Sequence, residues 1–374
     1  MGSDFTRLDF NGGIELLDHD VIPSRVDDAR EQVLKACRML VDQGLVARTW
    51  GNVSVRISDD LFAITPSGRD YGTLTPDQIV VVNAADGTWF GDIKPSSEKF
   101  LHSYIYLDRP EVNVIVHTHQ FYASAVSVLG LDVENTGDVS QEAAAVMGDT
   151  VPCAEYAMSS TEKLAEKVRA AFSQNPDAKA LLMKNHGAVC LGEDVESAFR
   201  CTKLLEDVSE EVYSQYCLGD VAAQQVEDDK VYFLGDPSTP RWARRIMTDD
   251  KKCVVVSRKP YTVKMSRLGK EMGSYIDDLA QIGGTSIKCV LPTGKVSELK
   301  DAIRRRDAVL VKGRGAICRG ADQDEAEALA TVMEKGCAAA HLAESFGGVK
   351  PVKPQAALAE RTVYVTKYSK LRKK

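Results

Sequence analysis

The sequence predicts an α/β fold, in which a mixed central sheet is covered by helices and a smaller, degenerate α/β half-repeat follows. β-Branched runs such as "VNVIVHTH" alternate along the chain with segments whose apolar residues recur at helical spacing. The run "GNVSVRISDDLFAITPSG" turns at Asp59-Asp60 between two alternating segments, which indicates an antiparallel hairpin. The segment "ALLMKNHGAVCLG" returns later as "AVLVKGRGAICRG", so the second half copies part of the first.

The elements of the first half can be placed in order. A helix is predicted over 26–46, with Gly44 near its end, and the hairpin follows. The segment "QIVVVNAADGTWFG" then predicts a strand, a turn at Asp86-Gly87 and another strand. Ser96 or Ser97 is the expected N-cap of the next helix, which leads into "VNVIVHTH". The remaining predictions are a helix at "FYASAVSVL", a short strand near "VPCAEY", a helix at "SSTEKLAEKVRAAF", a strand at "KALLMKNHGAVCLG" and a long helix that ends at "SQY".

The chain divides into four predicted segments. Its 374 residues exceed one average domain. Residues 1–27 are an N-terminal extension, and 28–218 form the main α/β domain. The stretch 219–260 is polar and broken by "GDPSTP", which is typical of a linker, and 261–374 contain the degenerate repeat.

Composition excludes several classes of protein. A hydrophobic content of 44% is typical of a globular protein, and a net charge of −7 gives no electrostatic attraction to nucleic acid or an anionic membrane. The chain shows neither a secretory leader nor an apolar stretch long enough to span a bilayer. Its nine cysteines are scattered without a C-x-x-C pair, which is typical of reduced thiols in a cytoplasmic protein.

Two histidines on one strand suggest a metal site. His117 and His119 are separated by one residue, so their side chains lie on the same face of a strand. Two imidazoles on one face suit an ion such as Zn²⁺, and His186, in "KNHGAV", is the candidate third ligand. The spacing alone favours the ordinary explanation, in which the pair is an edge-strand feature and His186 a hydrogen-bonded core residue.

A carboxylate and three polar turns accompany the histidines. Glu98 begins the helix before the histidine strand, where it could meet His119 and act as a ligand or general base, or could only favour the helix dipole. Three Gly-, Ser- or Thr-containing stretches could bind phosphate through backbone N–H groups and hydroxyls, although each alone is also an ordinary turn. They are "TWGN" (49–52), "TPSG" (65–68) and "PSS" (95–97).

Taken together and in order, six motifs resemble the class II aldolase/adducin family. They are "GNVSVR", "ITPSG", "KPSSEKFLHSYIY", "VIVHTH", "VPCAEYA" and "KNHGAVCLGEDVESAF", which span about residues 28–217. The resemblance implies a three-layer α/β/α fold with a mixed central sheet. It also implies a homo-oligomer, usually a tetramer, with active sites between subunits.

The resemblance assigns roles to individual residues. His117, His119 and His186 match the Zn²⁺ ligands, although Mn²⁺ or Co²⁺ is an alternative, and Glu98 matches the acid/base. The fuculose-type tyrosine that protonates the leaving aldehyde is missing from "DVSQEAAAV", where Gln141 or Glu142 stands instead. The candidates for a second acid or substrate contact are Glu142 and Tyr156; the matching phosphate positions are Thr49, Asn52, Ser67, Gly68, Ser96 and Ser97.

These roles imply a metal-dependent, aldolase-type lyase that cleaves a small phosphorylated ketose by a retro-aldol reaction. The enediolate would be stabilised by the metal, and the products would be dihydroxyacetone phosphate and an aldehyde. An epimerase or a sugar-acid phosphate decarboxylase on the same fold is one alternative. A non-catalytic, adducin-like assembly protein is the other, although that branch does not keep this metal set.

The second copy differs at the metal position. Arg314 stands where the first copy has His186, and no H-x-H follows residue 219, so this half is predicted to be non-catalytic. It could be a structural cap, which we favour, or could supply Arg314 or Lys312 to an active site as an anion clamp. His341 stands alone in a helical pattern.

Overall fold

The structure is a computed structural model that describes residues 21–45, 50–135, 140–217, 228–304 and 306–368. A seven-stranded mixed sheet organises the first half, in the order β3-β2-β1-β4-β9-β8-β7, and β5 pairs with β6 in a small separate sheet. The strands are β1 (Asn52–Arg56), β2 (Leu61–Ile64), β3 (Val80–Asn83), β4 (Val114–Thr118), β5 (Val133–Glu134), β6 (Thr150–Val151), β7 (Cys153–Ala154), β8 (Ala180–Met183) and β9 (Gly187–Gly192).

Helices cover both faces of this sheet. One face packs against α1 and the start of α6, and the opposite face packs against α2 and α5. The predicted three-layer α/β/α fold with a mixed sheet is therefore confirmed. The helices are α1 (Val21–Asp42), α2 (Lys99–Asp108), α3 (Phe121–Ser127), α4 (Ser140–Met147), α5 (Glu162–Gln174) and α6 (Val195–Tyr216).

A second, five-stranded sheet organises the rest of the described chain, in the order β10-β11-β16-β15-β14, and β12 pairs with β13. Its strands are β10 (Lys230–Phe233), β11 (Cys253–Ser257), β12 (Met272–Gly273), β13 (Ser286–Ile287), β14 (Cys289–Val290), β15 (Ala308–Val311) and β16 (Gly315–Gly320). Its helices are α7 (Arg241–Ile246), α8 (Pro260–Arg267), α9 (Asp277–Gly283), α10 (Val296–Ile303), α11 (Gln323–Phe346) and α12 (Pro354–Val363), before a π-helical turn at Tyr364–Tyr368.

The repeat extends to single hydrogen bonds. In the first half, the Glu206 carboxylate accepts the backbone N–H groups of Tyr122 and Ala123 at the start of α3. In the second half, Glu334 accepts those of Tyr261 and Thr262 at the start of α8. Each carboxylate satisfies helix N–H groups that no carbonyl can reach. Both halves therefore share one local design, as the sequence repeat predicted.

Three local predictions need correction. The stretch 219–260 is more than a linker, since its described part supplies the helix α7 and two strands of the second sheet, β10 and the interior strand β11. The segment "KALLMKNHGAVCLG" is a hairpin of β8 and β9 because Asn185 turns the chain at φ +63°. The second strand expected after Asp86-Gly87 is reduced to a single bridge between Val82 and Trp89.

The two halves share one hydrophobic core. The same cluster of buried side chains includes Ala123 of α3, Leu205 of α6, Leu279 of α9 and Ala338 of α11. Among the helices that the structure describes, none has the length and apolar content that a membrane span requires. The exact boundaries of the predicted segments 1–27, 28–218 and 261–374 stay predictions.

Candidate metal and substrate site

Three buried histidines meet where two interior strands of the first sheet, β4 and β9, begin or end. His117 lies in β4, His119 follows the end of this strand, and His186 lies in the turn between β8 and β9. A potential ligand atom of each lies within 4.8 Å of those of the other two. The structure therefore brings together the three residues that the sequence selected.

A glycine allows β4 and β9 to approach each other. A Cβ atom added to Gly187 would lie 2.4 Å from the backbone oxygen of Thr118, between the two strands that carry the histidines. That distance is far inside van der Waals contact, and a backbone atom cannot rotate away. A side chain at this position would thus push the histidine strand out of register with its neighbour.

We expect Gly187→Ala to lower the free energy of unfolding by about 1–3 kcal/mol, because overpacking forces the backbone to shift. Gly72→Ala is the matched control, since its added Cβ would lie 3.5 Å from an Asp70 side-chain oxygen, which is an ordinary van der Waals distance. Urea unfolding followed by circular dichroism measures both variants. Equal stability of Gly187→Ala and the wild type would contradict the close approach.

The Nδ1 atom of each imidazole faces an acceptor. His117 Nδ1 lies 2.8 Å from the backbone oxygen of Ala188, His119 Nδ1 lies 2.5 Å from Asp278 Oδ1, and His186 Nδ1 lies 3.1 Å from Asp277 Oδ2. These oxygens accept from Nδ1, so Nε2 is the atom of each ring that could bind a metal, and any proton on Nε2 would leave when a metal binds. Three Nε2 lone pairs on one centre are a typical donor set for a metal.

Glu98 completes the centre. Its Oε1 lies 3.1 Å from His186 Nε2, and its Oε2 lies 3.2 Å from His117 Nε2 and accepts a hydrogen bond from Asn52 at 2.9 Å. Although Glu98 occupies the N-cap position of α2, its side chain caps no N–H group there. The carboxylate meets these two histidines rather than His119, the partner expected from the sequence.

Burial and charge set the protonation of these groups. Burial lowers the pKa of His119 to about 4, with the Asp278 carboxylate opposing the shift. Burial alone would raise the pKa of Glu98, but His117 and His186 outweigh it and hold the pKa well below its usual range. Glu98 is therefore an anion and His119 a neutral imidazole, the forms in which both could contact a cation.

A cavity of about 270 Å³ opens beside the histidines. Five of the six predicted phosphate positions line it, and the sixth, Thr49, lies outside the described residues. Sequence reasoning missed other lining residues, among them Ser159 and Ser160, although "SS" follows the "VPCAEYA" motif after one methionine. The predicted lining residues are Asn52, Ser67, Gly68, Ser96, Ser97, Glu98, His119 and His186.

The two candidates for a second acid lie elsewhere. Glu142 is on the exposed face of α4, where it pairs with Arg200 at 2.8 Å, and is not among the residues that line the cavity. Tyr156 is also absent from the lining, and its hydroxyl donates to Asp277 at 3.2 Å. The structure therefore does not bring Glu142 to the site, and it places Tyr156 behind His186.

Residues of the second half form part of the wall of this cavity and contact the turn that carries His186. Asp277 N–H donates to the backbone oxygen of Asn185 at 2.8 Å, next to His186. Gln281, Asp324 and Tyr364 of this half line the cavity, whereas Lys312 and Arg314 are exposed and do not. No motif in the sequence singled out this contribution, because the contacting residues lie more than 90 positions from the first half's ligands.

Comparisons with known proteins identify the family of the first half. The sequence profile of the Class II Aldolase and Adducin N-terminal domain matches residues 31–213. A 5-deoxy-D-ribulose 1-phosphate aldolase of Bacillus thuringiensis is 31% identical over 192 residues, which are 51% of this chain and 87% of that protein. An L-fuculose phosphate aldolase of Methanocaldococcus jannaschii is 32% identical over 178 residues, which are 48% of this chain and 92% of that protein.

A solved structure of an L-fuculose 1-phosphate aldolase aligns with a TM-score of 0.47 and 29% identity over 52% of this chain and 88% of that chain. The aldolase relatives confirm the predicted class of enzyme, a class II aldolase-type lyase. The chain is a member of the class II aldolase and adducin family.

Proposed function

We propose that the protein is a Zn²⁺-dependent lyase that cleaves a small phosphorylated ketose into dihydroxyacetone phosphate and an aldehyde. One observation carries the proposal. Three imidazole Nε2 atoms and the Glu98 carboxylate face a common centre, beside a cavity lined by serines and a glycine. The relatives named as sugar-phosphate aldolases support the same reaction class.

The donor set fits a divalent metal. Three nitrogens with oriented lone pairs and a carboxylate within reach suit Zn²⁺, and Mn²⁺ or Co²⁺ would accept the same ligands. His117, His119 and His186 would hold the ion. When bound, it would supply Lewis-acid polarisation of the substrate carbonyl.

Glu98 would move the proton at carbon. When a base takes the proton of the C4 hydroxyl and the C3–C4 bond of a ketose 1-phosphate breaks, C4 becomes the aldehyde carbon. The electron pair of the broken bond remains on the fragment that contains C1 to C3, as an enediolate. A proton delivered to C3 then gives dihydroxyacetone phosphate, and Glu98 is the acid/base in the cavity that could deliver it. Asn52 would hold the carboxylate in place through its hydrogen bond to Oε2.

The phosphate would bind at the polar end of the cavity. Ser96 and Ser97 precede the N-terminus of α2, where backbone N–H groups and the helix dipole favour an anion. Ser67 and Gly68, with φ +73° at the glycine, add a second turn. Hydroxyls and amides therefore provide the anion site that the negative net charge of the chain does not.

A panel of sugar phosphates tests the proposed reaction. Purified protein loaded with Zn²⁺ is incubated with ketose 1-phosphates and ketose 5-phosphates, and dihydroxyacetone phosphate is measured by coupled reduction with NADH. We expect release from at least one ketose 1-phosphate. A stereoisomer without cleavage would favour the epimerase, and CO₂ from a sugar-acid phosphate the decarboxylase. No turnover and no zinc would favour an adducin-like assembly protein.

We also propose that the protein forms a homo-oligomer. The second half covers the Asn185-His186 rim of the first half, but the corresponding rim of the second half, Gly313-Arg314, is exposed. Similarly, α9 is buried over the site, whereas its counterpart α4 presents the exposed Glu142. A contact that joins unlike surfaces and leaves one of each open can close into a ring. Two copies of this chain would close a ring of four halves.

Charge reversal tests this ring. We expect Arg314→Glu and Glu142→Arg each to reduce a two-chain assembly to single chains, because the two residues carry opposite charges on the two surfaces that the ring would join. The combination of both should restore pairing, and the mass is measured by light scattering after size exclusion. Lys300→Glu on α10 is a control charge reversal. A wild-type mass of one chain would contradict the proposal, and a mass of four chains would favour the tetramer implied by the family resemblance.

The proposed substrate requires no membrane or nucleic acid partner. A cytoplasmic location is also a proposal, and it is supported by the nine cysteines, all of which are unpaired.

A further inference from the structure

We propose that Asp277 and Asp278 of the second half are positioning residues that orient His186 and His119 for the metal. This inference rests on the proposed metal site. It assigns the degenerate half a part in that site: without a metal ligand of its own, this half supplies the carboxylates behind two of the ligands in the first half.

The two aspartates are consecutive, yet each reaches a different histidine. They form the first turn of α9, where successive side chains point about 100° apart. Asp277 Oδ2 lies 3.1 Å from His186 Nδ1, and Asp278 Oδ1 lies 2.5 Å from His119 Nδ1. Both aspartates are fully buried. A carboxylate on Nδ1–H fixes the tautomer and the ring plane, so the Nε2 lone pair points at the metal position.

The remaining oxygens of the pair are also satisfied. Asp277 Oδ1 accepts a hydrogen bond from Tyr156 at 3.2 Å. Asp278 Oδ2 accepts one from the Lys335 ammonium, which also donates to the backbone oxygen of His119 at 2.7 Å. A buried carboxylate is costly unless it is paired in this way. Tyr156 and Lys335 therefore hold the aspartates, and the aspartates hold the imidazoles.

The first-half counterparts of these residues cannot play this part. Gly148 directly follows α4 and Gly284 directly follows α9, with φ values of 93° and 96°. The two glycines therefore align α4 of the first half with α9 of the second half. Counting back from them, Gln141 and Glu142 correspond to Asp277 and Asp278. The sequence selected Glu142 of α4, whereas the carboxylates that reach the histidines stand at the equivalent positions of α9.

A purely structural role is the competing explanation, because the aspartates also join the halves. Glu360 offers a matched comparison. This buried carboxylate of α12 accepts hydrogen bonds from the backbone N–H and the hydroxyl of Ser159 in the first half, at 2.8 Å and 2.7 Å, and from Gln281, but not from a histidine. Loss of its charge should weaken the contact between the halves without removing a hydrogen bond from an imidazole.

Zinc affinity separates the two roles. Wild type, Asp277→Asn, Asp278→Asn and Glu360→Gln are stripped of metal and titrated with Zn²⁺ against a chromophoric chelator. We expect each Asn variant to bind zinc about 10–100-fold more weakly, and Glu360→Gln to bind as wild type does. The visible absorption of bound Co²⁺, which reports the ligand geometry, should shift in the Asn variants alone. Thermal unfolding is measured in parallel to compare the metal-free proteins.

Three results would overturn the inference. Asn variants that bind zinc within about threefold of wild type would show that the carboxylates only join the halves. If Glu360→Gln lost as much zinc affinity as the two Asn variants, the loss would follow from a weaker contact between the halves and not from the orientation of the histidines. Failure of wild type to bind zinc would overturn the proposed function together with this inference. If Asp278→Asn unfolds because Lys335 loses its partner, the Asp278→Ala/Lys335→Met double variant and Asp277→Asn, which does not contact Lys335, decide the question.

Discussion

Replacement of His119 with alanine is expected to abolish metal retention and, with it, all lyase activity. The variant leaves two imidazoles, and a zinc site held by two nitrogens and one carboxylate loses most of its affinity. Protein purified without added metal should contain about one zinc per chain as wild type and close to none as His119→Ala. Because polarisation of the carbonyl depends on the ion, cleavage should fall to the background rate.

The control for this experiment is His341→Ala. This histidine lies in α11 of the second half and is half-buried. Its ring contacts the rings of Tyr213 and Tyr261 rather than the three histidines of the proposed metal site. It should keep its zinc and its activity. If His119→Ala retains a full equivalent of zinc, the metal is held elsewhere and the proposed site is wrong.

Glu98→Gln should separate metal binding from proton transfer. The amide keeps the size of the side chain but cannot take up and deliver a proton, so we expect the turnover number to fall by roughly 10²–10⁴-fold. Zinc content should change little, because the three imidazoles remain. Turnover is measured as dihydroxyacetone phosphate released from the best ketose 1-phosphate, with zinc measured in the same samples.

Glu111→Gln is the matched control for Glu98→Gln. Its carboxylate pairs with Arg109 at 2.9 Å on the surface and does not line the cavity. It should behave as wild type. A Glu98→Gln enzyme with wild-type turnover would exclude this residue as the acid/base, whereas a variant that loses zinc would make Glu98 a required ligand.

Local patterns were sufficient for most of the first half. A β-branched run has the period of a strand, and H-x-H on that run must place both imidazoles on one face. Alternation with an Asp-Asp turn was likewise enough to predict the β1–β2 hairpin, which pairs Ser54 with Ile64. The single strand predicted at residues 179–192 was wrong, because an apolar segment of this length has the same sequence pattern whether it forms one strand or two. Only the positive φ of Asn185 makes it a hairpin.

The sequence by itself determined the family, the α/β layers, the internal repeat and the three histidines, because each depends on residues close together in the chain or on ordered motifs. The tertiary structure decided which carboxylates stand behind those histidines. Asp277 meets His186 across 91 positions, and Asp278 meets His119 across 159. No local period encodes such a contact. It exists because the shared core packs α9 onto the first sheet, and packing between distant elements depends on the whole fold.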